Sequence, residues 1–198
     1  MLSPLGAPFP LSALQIGDQV MTLDPQTYEP RSTEIIAFLH RDEHQYSPWI
    51  ELTFSQKFDS TLSTLRLTAN HLIYRWRGVK STVFANQIRP GDEILCNLER
   101  PDLLCRVHST QVVNSTLTET GVFAPLTASG DILIDGVFVS CYAHIQNEWL
   151  ARITTLPFYR IAPWFGLNFQ EIHTGVHQYV GFLLKIAQFI IPDQLFSL

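Results

Sequence analysis

Between Leu11 and Ile145 the apolar positions fall in short runs rich in Val, Ile, Thr and Phe, each closed by a polar turn. The runs Gln19–Leu23, Ser32–Leu39, Trp49–Phe54, Ser63–Leu67, His71–Trp76, Glu93–Leu98, Thr110–Val113, Gly121–Pro125, Ile132–Ile134 and Val137–Ile145 predict strands. Segments of that length and composition bury one or both faces of a sheet. The gaps hold Gly17-Asp18, Asp24-Pro25, Pro90-Gly91-Asp92 and Ser129-Gly130-Asp131. These are turn residues, since Gly accepts positive φ, Pro presets φ, and Asp bonds nearby backbone. The pattern predicts an all-β sandwich or barrel-like fold.

An internal echo runs through it. Ala13-Leu14-Gln15-Ile16-Gly17-Asp18-Gln19-Val20 lies beside Ala85-Asn86-Gln87-Ile88, which is followed by Gly91-Asp92-Glu93-Ile94. Each copy reads as a lead-in, a Gly-Asp turn and a strand, which predicts two similar β units stacked about a pseudo-twofold axis, neither able to bury its apolar face alone. After Ile145 the pattern changes. Trp149–Trp164 is aromatic and broken by Pro157 and Pro163, while His173–Ile191 places Val176, Tyr179, Val180, Leu183, Leu184 and Ile190 at helical spacing. The expected division is a β module over residues 1–145 and a helical appendage over 146–198. Lys185 and Gln188 interrupt the apolar stretch, so it is read as docked or interfacial rather than spanning a membrane.

Composition narrows the function classes. Hydrophobic residues make up 46% of the 198 and charged residues 16%, which excludes disorder. A net charge of −5 with only 13 Lys and Arg leaves no basic patch to neutralise phosphates, so nucleic acid is excluded as a partner. Cys96, Cys105 and Cys141 are too few and too irregularly spaced for a disulfide framework or a zinc ribbon, and Cys96 and Cys105 are read as structural. Met1–Pro10 has neither a basic region nor an apolar run, so secretion would need a longer precursor. Asn114-Ser115-Thr116 is an N-glycosylation acceptor triplet.

The most specific signal is Gly121-Val122-Phe123-Ala124-Pro125-Leu126-Thr127-Ala128-Ser129-Gly130, followed by Ile132-Leu133-Ile134-Asp135 and Ser140-Cys141-Tyr142-Ala143. In the same chain order stand Ile16-Gly17-Asp18, Thr68-Ala69-Asn70-His71-Leu72, Arg89-Pro90-Gly91-Asp92 and, in the tail, Gly175-Val176-His177-Gln178-Tyr179. Together these blocks resemble the C-terminal autoprocessing domain of Hedgehog precursors, a Hint module with a sterol-recognition region, from about Leu11 to Phe196. The resemblance implies a Hint-type pseudo-twofold β fold with a short helical C-terminal appendage. It also implies an intramolecular cysteine peptidase and cholesterol transferase. In such proteins a cysteine at the first Hint residue turns the preceding peptide bond into a thioester, and a sterol hydroxyl then displaces it, splitting one hard cleavage into two easier steps.

Thr68 and His71 match the family's Thr-x-x-His pair. There a hydroxyl or backbone group holds the scissile carbonyl and an imidazole protonates the departing amine. Where the family has an aspartate as base for the sterol hydroxyl, this sequence has His40, after Ile35-Ile36-Ala37-Phe38-Leu39. A neutral imidazole can take a proton but brings no charge. Asp42 lies about 7 Å further along an extended strand. The family's opening Cys-Phe pair is missing, since Met1–Pro10 holds no thiol, and as written the chain would not perform the first step. Cys141 is the thiol inside a recognised block, a candidate modulator of the nucleophile or else a small buried hydrophobe.

Phe158, Trp164, Tyr179 and Phe182 offer the tail an apolar surface for a sterol. Expected partners are the upstream signalling domain of the same precursor, cholesterol as second substrate, and a membrane surface, in the secretory pathway from endoplasmic reticulum to Golgi. No cofactor is expected. Metal ligation by His40, Asp42, His44 and His71, or by His173 with His177 one helical turn on, is set aside in favour of ordinary surface and core roles. An intein's terminal His-Asn is absent from Asp193–Leu198, so splicing is rejected. The alternatives are a catalytically inactive Hint scaffold or a lipid-binding module.

Overall fold

A computed structural model describes residues 9–24, 26–56, 61–96, 104–114, 121–143 and 175–176. The chain order is a 3-10 turn Leu11–Ala13, then β1 (Gln19–Leu23), β2 (Pro30–Asp42), β3 (Pro48–Gln56), β4 (Ser63–Leu67), β5 (His71–Trp76), β6 (Lys80–Phe84) and a second 3-10 turn, Ala85–Gln87. There follow β7 (Glu93–Leu95), β8 (Leu104–Asn114), β9 (Val122–Thr127), β10 (Asp131–Ile134), β11 (Val137–Ala143) and β12 (Gly175–Val176). The all-β expectation holds. β6 is absent from the sequence reading because Lys80-Ser81-Thr82 carries no apolar alternation. It forms as the return of a hairpin on β5, where Leu72 pairs Phe84 and Trp76 pairs Lys80.

The strands divide between two sheets. β1, β9 and β12 all pair with the long β2, while β10-β11-β5-β7-β8-β3-β4, with β6 on β5, make the larger sheet. β11 and β7 lie end to end along one edge of β5. Ile73 pairs Val139 on that edge and Arg75 pairs Ile94 on the same edge, with β6 opposite. The Cys96 bridge to Val137 closes the join.

The repeat is visible in hydrogen bonds. Gly17 N–H donates to Ile35 O at 2.8 Å, Asp18 N–H to Gln15 O, and Ile35 N–H to Asp18 O. Gly91 N–H donates to Val107 O at 2.8 Å, Asp92 N–H to Arg89 O, and Val107 N–H to Asp92 O. The side chains of Asp18 and Asp92 accept from the Gln15 and Arg89 N–H groups at 2.8 and 2.9 Å. Gly17 and Gly91 share φ of +94° and +93°. Each turn is led by a 3-10 turn closed by one backbone bond, Leu14 to Leu11 and Ile88 to Ala85. The equivalent buried residues are therefore Leu14 and Ile88, 1% and 0% exposed. Sequence comparison instead set Ile16 against Ile88, two positions off, because it matched residue type rather than the turn each residue leads into.

Both units feed one core, with Leu14, Ile35, Leu52, Phe54, Ile73 and Ile88 at its centre. A second cluster gathers Leu23, Tyr74, Leu95, Leu133 and Phe138. Packing is by mutual cover, since neither unit has a second apolar layer of its own.

The helix expected over His173–Ile191 is corrected at its two described residues. Gly175 and Val176 are extended and pair antiparallel with Arg41 and His40. An open strand edge supplies backbone partners that outweigh a helical spacing pattern, and Gly and β-branched Val are weak helix formers. The rest of that stretch, with Phe158, Trp164, Tyr179, Phe182, His173 and His177, lies outside the described residues.

Candidate active site

Thr68, Ala69, Asn70 and His71 form the turn that leads from β4 into β5. The His71 N–H donates to Thr68 O at 3.0 Å, the bond of a β-turn, so the three-residue spacing places both ends at one corner. Two contacts hold that corner. Ala69 packs on the core, and its carbonyl accepts the Asn86 N–H of the second 3-10 turn at 3.1 Å. His71 is half-buried.

Across the sheet from His71 stands Ala143, while two residues along β5 Ile73 faces Val139. Four steps on β11 thus span two on β5, so Ser140-Cys141-Tyr142 bulges beside the Thr68–His71 corner. Bulges re-aim side chains and leave local backbone out of the ladder. The register leading into the bulge is set by the hairpin before it, where Ile134 pairs Val137 around Asp135 and Gly136, both at positive φ. Such primed turns match the twist of the flanking strands.

Cys141 is 4% exposed. Its sulfur lies 3.5 Å from Thr127 Oγ1, and its N–H donates to Gly130 O at 2.9 Å. Thr127 Oγ1 in turn donates to Asp131 O at 2.8 Å and accepts from the Gly130 N–H at 3.0 Å. Ser129 Oγ lies 3.2 Å from Thr127 Oγ1, and the Ser129 N–H donates to Thr33 Oγ1. Ser129 Oγ also donates to Thr22 Oγ1, whose own hydroxyl donates to the Asp131 carboxylate. This buried network joins β1, β2, β9 and β10 under the thiol. Thr22, Thr33, Ser129 and Asp131 were missed in the sequence reading. The available signal was a polar residue at an inward strand position, as Thr22 is in β1 with a side chain fully buried.

His40 lies on β2. It faces Ala124 of β9, and Thr127 lies three residues further along that strand, about 10 Å by the strand rise. The β2–β9 pairing slips at Ile36 and again at Leu39, so the alternation is reset immediately before His40. The ring Nε2 is 2.6 Å from Gln45 Oε1. A carbonyl oxygen accepts, so Nε2 carries the proton and, in the neutral ring, Nδ1 keeps the lone pair. Asp42 is engaged otherwise, since its Oδ1 accepts the His44 N–H at 2.9 Å and closes the turn after β2. Arg41 donates to Leu14 O at 2.9 Å and Ser12 O at 2.8 Å and lies 4.9 Å over the Phe38 ring. It ties the first 3-10 turn to the His40 strand.

The electrostatics belong to the scaffold. Burial raises the Asp92 pKa, but the hydrogen bonds from Arg77 and the Arg89 N–H and the charges of Arg75 and Arg77 outweigh it, holding the carboxyl below its ordinary 3.8. Arg77 donates to it at 3.0 Å and Arg75 stands at 3.9 Å. Among the described residues no three His, Cys, Asp or Glu side chains gather as a metal-ligand set. Cys96 and Cys105 are joined in a disulfide. The sequence reading excluded a disulfide framework and did not foresee this single bridge, which depends on β7 and β8 pairing Ile94 with Cys105. Asn114 is exposed at the end of β8.

The sequence profile of the Hint module matches residues 5–192. Tiggy-winkle hedgehog protein of Danio rerio is 29% identical over 201 residues, taking in 94% of this chain and 46% of that protein. Protein hedgehog of Drosophila virilis is 28% identical over 209 residues, 95% of this chain and 41% of that one. The chain thus spans less than half the length of these relatives. In fold it is similar to the bacterial intein-like domain from Clostridium thermocellum, with a TM-score of 0.55 at 17% identity over 71% of this chain and 92% of the other. It is similar also to the DnaX mini intein from Spirulina platensis, with a TM-score of 0.51 at 17% identity over 71% and 93%. With the profile covering nearly its whole length and the paired Gly-Asp turns, this chain belongs to the Hint module family, with hedgehog proteins as its relatives.

Proposed function

We propose that this chain is the self-processing module of a hedgehog-type precursor, which makes a thioester at its upstream junction and passes the acyl group to an alcohol, with cholesterol the acceptor favoured by the resemblance. The observation that carries the reading is the meeting of two separate blocks: the Thr68–His71 corner lies against the bulged Ser140–Tyr142 segment, with Ala143 opposite His71. Two blocks more than sixty positions apart in the sequence converge on one place, as a reaction centre requires.

The chemistry has two steps. A cysteine sulfur at the upstream junction attacks the preceding carbonyl carbon, the C–N bond breaks, and His71 gives the departing amine its proton. Thr68 orients the carbonyl. The alcohol oxygen then attacks the thioester carbon, its proton passes to His40 Nδ1, and the C–S bond breaks with loss of thiolate. Residues 1–10 contain no cysteine, and in this proposal the thiol is the one at the upstream junction. Signalling partner, sterol and membrane belong to this proposal, as does the secretory pathway, with which the Cys96–Cys105 disulfide agrees.

The test fuses a reporter followed by Gly-Cys-Phe to this chain and measures cleavage with dithiothreitol and with cholesterol. Cleavage by the thiol should fall about 10²-fold or more in His71→Ala, the range for a lost general acid. Sterol-dependent release should fall in His40→Ala while thiol cleavage persists. Unimpaired thiol cleavage in His71→Ala sinks the role of the corner, and no cleavage of the parent fusion favours the inactive or lipid-binding alternative.

A further inference from the structure

The connection between β2 and β3 brings Gln45 back to His40. Asp42 Oδ1 accepts the His44 N–H at 2.9 Å, which folds the chain over at the end of β2. The Gln45 carbonyl then accepts the Gly121 N–H at 3.1 Å. Gly121 leads directly into β9, the strand whose Ala124 pairs with His40. One strand therefore locates both residues, His40 through Ala124 and the Gln45 main chain through Gly121. Glycine suits that second contact, because φ is +109° and a Cβ would stand 2.8 Å from Phe123 Cε2 and 3.4 Å from Glu43 O. Gln45 is exposed, and an exposed glutamine has many rotamers to lose. Holding its main chain lowers that cost, and Oε1 rests 2.6 Å from His40 Nε2. The carboxylates beside it are engaged elsewhere, Asp42 with the His44 N–H and Glu43 at 4.0 Å from Arg41.

We propose that Gln45 is a positioning residue for the transfer step, whose side-chain carbonyl fixes the His40 ring and keeps its proton on Nε2, so that Nδ1 is the atom that takes the alcohol's proton. This rests on the self-processing reading and deepens it, by adding to that site a residue that none of the blocks of resemblance contains. A carboxylate base needs no such partner, since either oxygen accepts a proton. A neutral imidazole has one accepting nitrogen, and the hydrogen bond made by the other decides which it is. As the alcohol oxygen bonds to the thioester carbon and the C–S bond breaks with loss of thiolate, the proton moves to Nδ1 and the ring becomes an imidazolium. Gln45 Oε1 goes on accepting from Nε2–H, now in a stronger, charge-assisted bond. The contact that orients the base thus also stabilises its charged form. Thr68 and His71 belong to the turn between β4 and β5, so the thiol step does not call on Gln45.

The test compares Gln45→Met, which keeps the length of the side chain and removes the acceptor, with Gln45→Glu, which restores an acceptor, and it has two arms. In the chain itself, the ring-nitrogen NMR shifts of His40 are read in alkaline buffer, where imidazoles are neutral. The parent and Gln45→Glu should show Nε2 protonated and Nδ1 bare, whereas Gln45→Met should move both nitrogens toward the averaged values of a ring that exchanges its proton between them. In the reporter–Gly-Cys-Phe fusion, Gln45→Met should lower release at saturating cholesterol by about 10–100-fold, the range for groups that fix the tautomer and orientation of a functional histidine. Half-saturating cholesterol and dithiothreitol-induced cleavage should both stay within about twofold of the parent, and Gln45→Glu should recover most of the release. A parent ring protonated on Nδ1, or shifts unmoved by Gln45→Met, overturns the pairing. Moved shifts with unaltered release overturn its role in transfer, as does an equal loss in both cleavage assays. A parent fusion that dithiothreitol fails to cleave overturns the self-processing reading and with it the catalytic part of this proposal, while the NMR arm still decides whether Gln45 sets the tautomer.

Discussion

The pseudo-twofold supplies an internal control for the worth of a capping aspartate. Asp18 and Asp92 occupy equivalent turns and each accepts one backbone N–H, but Asp92 is 7% exposed and also faces Arg77 at 3.0 Å and Arg75 at 3.9 Å. Asp18→Ala removes one turn-closing hydrogen bond at a half-buried position and should cost about 1 kcal/mol. Asp92→Ala loses the same bond, about 1 kcal/mol, and the charge-assisted bond from Arg77, discounted to about 1 because the Arg77 side chain is 65% exposed. It also leaves the largely buried Arg75 without its carboxylate, for roughly another 1–2. The expected totals are about 3–4 against about 1 kcal/mol, or roughly 10 °C against 3 °C in Tm for a chain of this size.

The acid limb tests the same reasoning. Because the folded Asp92 pKa lies below its ordinary 3.8, its contribution is complete above that value and is lost as pH falls through the folded value. The gap between parent and Asp92→Ala should therefore hold from pH 7 to about 5 and narrow below 3.8. Urea denaturation followed by tryptophan fluorescence at several pH values measures it. Equal costs for the two substitutions, or a gap undiminished at pH 3, would refute the assignment of the difference to the Arg75–Asp92–Arg77 cluster.

Three further outcomes are expected. Gly121 has φ +109°, and a Cβ there would meet Phe123 Cε2 at 2.8 Å, whereas Gly17 at φ +94° has nothing within 4 Å. Gly121→Ala should thus cost about 2–3 kcal/mol and Gly17→Ala about 1 in thermal melts. Replacing both Cys96 and Cys105 by Ser should lower stability by about 2–3 kcal/mol, the chain-entropy value for a separation of 9 residues. On alkylation without reductant, one thiol per chain, Cys141, should react, and only after unfolding. Thr127→Val removes the hydroxyl bond to Asp131 O while the Gly130 N–H keeps the Thr127 carbonyl as acceptor, and should cost about 1 kcal/mol, with Cys141 labelled faster in the native state.

Sequence periodicity alone determined most of the strands, because short apolar runs between Gly-Asp and Asp-Gly turns have few other ways to bury themselves. β1, β4 and β5 fall at their expected bounds. The family blocks also singled out Thr68, His71 and Cys141 before any geometry was known. Tertiary structure decided what no local pattern encodes. β6 and β12 exist because a neighbouring strand offers unsatisfied backbone, so their own residues carry little signal. Cys96 reaches Cys105 because β7 and β8 set the register between them. Leu14 is the counterpart of Ile88 because of the turns they lead into, which hydrogen bonds reveal and residue type does not. The hydroxyl network under Cys141 draws Thr22, Thr127, Ser129 and Asp131 from strands far apart in the chain. Local sequence specifies what each segment buries, whereas the pairing of edges and the company of a buried polar atom are properties of the folded whole.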